Sequence, residues 1–212
     1  MPPNSPYPHS LPEEQKRFAA LKQIRDEVLA LKASPLYAYR SENKYHPVIG
    51  EGSHFAKIMF IGEAPGKNEA LTAKPFCGAS GRVLDELLNS INVNRKDVYV
   101  TNIVKDRPPE NRDPTLEEIE LYAPFLRRQI EIIRPTIIAT LGRFSMVFIM
   151  ENYGLKERIG AISALHGKVF DAKTSYGTVK FIALYHPAVA LYKASQKEVL
   201  KQDFQIIKTV IG

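Results

Sequence analysis

Three short apolar runs rich in β-branched and aromatic residues punctuate the middle of the chain: KIMFIG (57–62), DVYVTNIV (97–104) and PTIIATLG (135–142). Each gives way to a stretch in which apolar residues return every three or four positions, namely GRVLDELLNSI, TLEEIELYAPFLRRQIEII and RFSMVFIMENYG. Such pairs predict a strand buried on both faces followed by an amphipathic helix. An earlier helix is predicted over PEEQKRFAALKQIRDEVLALKAS, where Phe18, Leu21, Ile24, Val28 and Leu31 share a face and Glu13 and Glu14 sit near the positive end of the helix dipole. Late in the chain, KVFDA and TVKFIALYHP flank KTSYG as a hairpin, and SQKEVLKQDFQIIKTVI closes as a terminal helix. From Pro35 to Phe55 periodicity is lost among Tyr, His, Pro and Gly, which predicts a long surface loop. The proline-rich residues 1–12 are expected to form a loose arm, and 13–212 a single domain. Strands alternating with helices imply a parallel sheet in a three-layer α/β/α sandwich.

Composition narrows the class. Across 212 residues, 44% are hydrophobic and 25% charged, the balance of an ordinary globular protein. No apolar run approaches the roughly 18 residues a bilayer span needs, so no membrane role is expected. The N-terminus has neither a basic start before an apolar stretch nor a small-residue cleavage site, which makes a cytoplasmic location the expectation. A formal net charge of +6 favours a polyanionic partner. The single cysteine, Cys77, excludes an intramolecular disulfide and any metal centre needing several thiolates from one chain.

In a parallel α/β sheet, ligands bind beyond the carboxyl ends of the strands. The residues there are GEAPGKNEALTAKPFCGASG, NIVKDRPPENRDP and YHPAVALY, which deliver Glu63, Glu69, Phe76, Asn102 and His186 toward one crevice. The set holds an acid pair, an aromatic plate, an amide that both donates and accepts, and a histidine. Taken singly, each has a plain reading: GEAPG lacks the Lys-Ser/Thr ending of a phosphate loop, Phe76 suits a core, and Arg107 and Arg112 suit a solvated loop with acidic counter-charges. Their conjunction at three strand ends is what points to a site.

In this order and spacing, GEAPGKNEA…KPFCGASGRVLDELL, TNIVKDRPPENRDP and YHPAVALY resemble the motifs of family-4 uracil-DNA glycosylases, over about Leu31 to Tyr192. The resemblance implies a central four-stranded, mainly parallel sheet and an enzyme that flips uracil out of DNA and hydrolyses its N-glycosidic bond, leaving an abasic site. It implies that Phe76 stacks on the base, Asn102 reads O4 and N3–H, Glu69 crowds the C5 edge against the thymine methyl, and Gly62 and Ala64 border the base. His186 would donate to O2, and Glu63 would orient water or favour the cationic sugar. Lys105, Arg107 and Arg112 would contact phosphates, with Val189 or Leu191 as wedge, since Ala190 stands where relatives carry Leu.

The resemblance also implies a four-iron cluster on four cysteines, but the matching positions read Leu31, Ser34, Asp106 and Tyr122. No cluster and no other cofactor is therefore expected, with Tyr122 filling the vacated space. The expected partner is DNA carrying uracil or another damaged base, met by a monomer. Other deaminated or alkylated bases, a catalytically weak uracil-binding protein and an enzyme of free nucleosides stand as alternatives.

Overall fold

A computed structural model describes residues 12–211; all but the last residue of the expected arm lies outside them. The chain builds a six-stranded sheet in the order β1-β3-β2-β4-β6-β5. Its strands are β1 (Glu51–Gly52), β2 (Ile58–Gly62), β3 (Tyr99–Asn102), β4 (Ile137–Leu141), β5 (Val169–Thr174) and β6 (Gly177–Leu184). The central four, β3, β2, β4 and β6, run parallel, and the edge strands β1 and β5 are antiparallel to their neighbours. The expected four-stranded parallel sheet is thus the centre of a larger mixed one.

Alternate residues of the buried strands feed two cores. Met59, Ile61 and Ile138 face α1 (Glu13–Leu29), α5 (Leu116–Ile133) and α6 (Arg143–Asn152). Ile58, Phe60, Ala139 and Leu141 face α4 (Ala79–Ser90) and α9 (Ala194–Ile211), where Phe60 stacks on Phe204. This period-2 partition makes the three layers. α5 starts where the sequence provides a capping box: Thr115 accepts from the Glu118 N–H and Glu118 accepts from the Thr115 N–H.

The segment predicted as a long loop contains α2 (Tyr37–Glu42) and β1. Both are too short to give a periodic signal, and each takes its shape from partners distant in sequence. Arg40 of α2 is buried, donating from Nη1 to both carboxylate oxygens of Asp106 (3.2 and 2.9 Å) and to the Val28 carbonyl, and from Nη2 to the Leu29 carbonyl. The Tyr122 hydroxyl donates to Asp106 at 2.5 Å and lies 2.9 Å from Ser34 Oγ, while Leu31 packs on the same core. The four positions at which the resemblance would need cysteine are therefore filled by a buried phenol, a carboxylate, a hydroxyl and an alkyl group. They offer no thiolate and no space, and do not fit an iron–sulfur cluster.

This network ties α1 and α2 to the loop after β3, and its loss should register as stability. Tyr122→Phe should cost about 1–3 kcal/mol by leaving Asp106 and Ser34 short of a partner. Arg40→Ala should cost about 3–5 kcal/mol by leaving a buried carboxylate unpaired. Urea unfolding measures both, and a Tyr122→Ala protein as stable as wild type would rule the network out as a stabilising device.

Candidate active site

β2 and β3 end in register, with Gly62 opposite Asn102. The chains then stay together, since the Ile103 and Val104 N–H groups donate to the Gly62 and Glu63 carbonyls at 3.0 Å. This zipper sets Asn102 beside Glu63. A side chain at position 62 would collide there: a Cβ would sit 2.3 Å from Asn102 Oδ1 and 2.8 Å from Phe76 Cζ. Gly62 is the bare backbone on which both side chains rest.

Phe76 reaches the pocket through a left-handed backbone, φ 48°, which a bulky residue adopts only when its surroundings enforce it. Gly81 permits the turn, because a Cβ there would lie 1.8 Å from the Phe76 carbonyl oxygen. Arg95 holds it, donating to the Pro75 carbonyl and to Asp85, both at 2.8 Å. Between Gly66 and Phe76 runs α3 (Lys67–Thr72), which carries Glu69. Glu69 is buried, and its Oε1 accepts from the Cys77 and Gly78 N–H groups at 3.0 and 2.9 Å, at the start of α4.

His186 follows the end of β6 and stands across from Phe76, ring centroids 5.6 Å apart. Its Nδ1 accepts from the Ala188 N–H at 3.2 Å. An accepting Nδ1 places the ring proton of the neutral imidazole on Nε2. Burial pushes the His186 pKa down to about 4, against a smaller upward pull from the Glu69 charge. Glu63 is shifted the other way, up to about 7, by burial and by the Asp113 charge, with Arg143 opposing. Glu63 at neutral pH thus lies near its midpoint while His186 is neutral.

Together these groups line a cavity of about 400 Å³ with Ala64, Pro65, Gly66, Ser80, Pro108, Asn111, Arg112 and Ala188. Of the seven positions expected to hold or act on a base, Glu63, Ala64, Glu69, Phe76, Asn102 and His186 line the cavity, and Gly62 lies beneath Asn102 and Phe76. Ser80, Asn111 and Arg143 were not anticipated, although they lie on loops or helix starts that directly follow the strands already singled out. Asn102 Oδ1 is buried and accepts no hydrogen bond among the described residues.

The basic loop differs from expectation. Lys105 is wholly buried and hydrogen-bonded to Thr101, Asn102 and Gln129, so it presents no charge to a phosphate. Arg107 is nearly buried and braces the loop from inside, donating to the Tyr39 and Tyr45 hydroxyls and to Asn111 Oδ1. Arg112 alone of the three is exposed at the pocket, held by a bidentate pair with Glu118. In α8 (Val189–Tyr192), Val189 packs on the core whereas Leu191 is 48% exposed and Tyr192 89%. Among the described residues, no group of three or more His, Cys, Asp or Glu side chains is arranged to hold a metal ion, and no helix is long and apolar enough to cross a membrane.

Residues 49–207 match the model of the uracil DNA glycosylase superfamily. The chain is 42% identical to the type-4 uracil-DNA glycosylase of Archaeoglobus fulgidus over 193 residues, covering 91% of this chain and 94% of that one. It is 40% identical to the type-4 enzyme of Sulfurisphaera tokodaii (89% and 84% covered) and 35% to that of Thermotoga maritima (92% and 96%). A type-5 uracil-DNA glycosylase of Pyrobaculum aerophilum is more distant, at 31% with 73% and 71% covered. The chain belongs to the uracil DNA glycosylase superfamily.

The two opposed pKa shifts are directly measurable. In side-chain NMR titrations His186 should stay neutral, protonated on Nε2, until the pH falls to about 4, and Glu63 should ionise near pH 7. A His186 midpoint near the ordinary 6.5 would contradict the burial that defines the site.

Proposed function

We propose that this protein excises uracil from DNA by hydrolysing its N-glycosidic bond, leaving an abasic site. The observation that carries the reading is the buried, unpartnered Oδ1 of Asn102 beside Phe76. Leaving such an atom unpaired costs about 1–3 kcal/mol, which a ligand N–H would recover. Uracil offers that N–H at N3 and an acceptor at O4 for the amide nitrogen; cytosine presents the reverse pattern and would leave buried groups opposed. The Phe76 face would add about 1–3 kcal/mol of stacking. Glu69, fixed by two backbone N–H groups, is placed to crowd the C5 edge, where sterics must reject a methyl that an apolar pocket discriminates only weakly.

As the bond stretches, the sugar becomes cationic and the base anionic. The His186 Nε2–H is the donor for the charge on O2, and a neutral imidazole suffices because it gives a hydrogen bond rather than a proton. Glu63, once ionised, favours the cationic sugar and accepts from the incoming water. The exposed Arg112 supplies a phosphate contact, and Leu191 with Tyr192 fills the space the extruded base leaves. The reading extends to a monomer acting in the cytoplasm.

Single-turnover cleavage of oligonucleotides carrying one U, T, hypoxanthine, xanthine or ethenocytosine, single- and double-stranded, tests the reading. Uracil should be released, with His186→Ala slowed about 10²–10³-fold and Asn102→Ala at least as impaired. Intact uracil with another base released would remove the roles of Asn102 and Glu69; tight uracil-DNA binding without cleavage would make the protein a sensor. Gly62→Ala should lose activity, because its methyl group would collide with Asn102 Oδ1 and the Phe76 ring and displace both from the pocket. The rate constant kcat/KM should rise with pH through about 7 as Glu63 ionises, and Glu63→Gln should abolish that rise.

A further inference from the structure

Lys105 lies in the interior and has no part in the chemistry above. Its Nζ is 2.6 Å from the Asn102 carbonyl, 2.8 Å from Thr101 Oγ1 and 2.6 Å from Gln129 Oε1. All three oxygens are acceptors toward it. The Thr101 hydroxyl gives its own proton to the Ile49 carbonyl at 2.6 Å. The Gln129 amide nitrogen donates to the Ile49 carbonyl and the Tyr99 hydroxyl, which turns the amide oxygen to Lys105. Three acceptors match the three protons of an ammonium; a neutral amine has two, and its lone pair would face an oxygen.

Burial lowers the Lys105 pKa well below its ordinary value, whereas hydrogen bonds to three oxygen acceptors favour the protonated form. None of its three partners is a carboxylate. The adjacent Asp106 directs its oxygens to Arg40 and Tyr122 instead. Three acceptors around one nitrogen are the geometry of an ammonium, here in a low-dielectric interior and bonded to the backbone of the residue that faces the base.

We propose that Lys105 is a positioning residue for base release: its buried ammonium clamps the Asn102 carbonyl and, through that residue, favours the negative charge developing on the departing base. The inference rests on the glycosylase reading. Its test compares full-length wild type with Lys105→Met, which keeps the aliphatic stem, in single-turnover release of uracil and of 5-fluorouracil. Fluorine stabilises the anionic ring, so 5-fluorouracil needs less help to leave.

The variant should lose about tenfold or more on uracil and clearly less on 5-fluorouracil, with DNA affinity little changed. An undiminished rate on uracil overturns the proposal, and so does an equal fractional loss on both bases, which a purely structural prop would give. Should the variant fail to fold, the wild-type protein carrying ¹⁵N-labelled lysine still decides. One solvent-protected ammonium resonance at neutral pH is expected, and a neutral amine at Lys105 sinks the idea. A wild type that releases neither base removes the glycosylase reading and this inference with it, whereas an active wild type with an indifferent Lys105→Met removes this inference alone.

Discussion

The register of two parallel strands governs this molecule. β2 and β3 finish side by side, and because residue 62 has no side chain the Asn102 amide and the Phe76 ring close directly over it. Shifting the pairing by one residue would turn each side chain to the opposite face and put Ile61 or Glu63 against the amide. Every other feature of the pocket is arranged around that contact. Phe76 is forced into a left-handed turn to reach it, Glu69 is held by the Cys77 and Gly78 amides just before α4, and His186 arrives from β6, whose pairing with β4 sets Leu184 opposite Leu141.

The supports of the pocket are polar and buried, which is costly unless each group is satisfied. On the β3 side this is achieved twice over. Lys105, Thr101, Gln129 and Tyr99 form one closed set of hydrogen bonds, and Arg40, Asp106, Tyr122 and Ser34 form another, only one residue apart in sequence at positions 105 and 106. The first set fixes the strand end that reads the base. The second fixes the N-terminal helices to the adjoining loop.

The strands at 58–62, 99–102 and 137–141 were legible because both their faces are buried, which writes continuous apolar runs into the sequence. Asn102 and His186 were legible because a parallel sheet opens its crevice at the carboxyl ends of its strands, where both residues lie. β1 was not, since two residues carry no period, and α2 was not, since its buried contact is made by Arg40 rather than by an apolar stripe. Lys105 misled for a related reason. A lysine among Arg, Asp and Pro reads as surface, and its acceptor Gln129 lies 24 residues away on α5, so nothing local announces that this side chain turns inward. Arg107 misled in the same way, through Tyr39 and Tyr45.

The tie made by Tyr122, Asp106, Arg40 and Ser34 has a consequence for the life of the protein in a cell. It consists of oxygen and nitrogen groups supplied by translation, so this junction closes as the chain folds and waits for no delivered iron. It also contains no sulfur for peroxide or superoxide to attack. The fastening of α1 and α2 thereby holds no group on the thiol oxidation ladder.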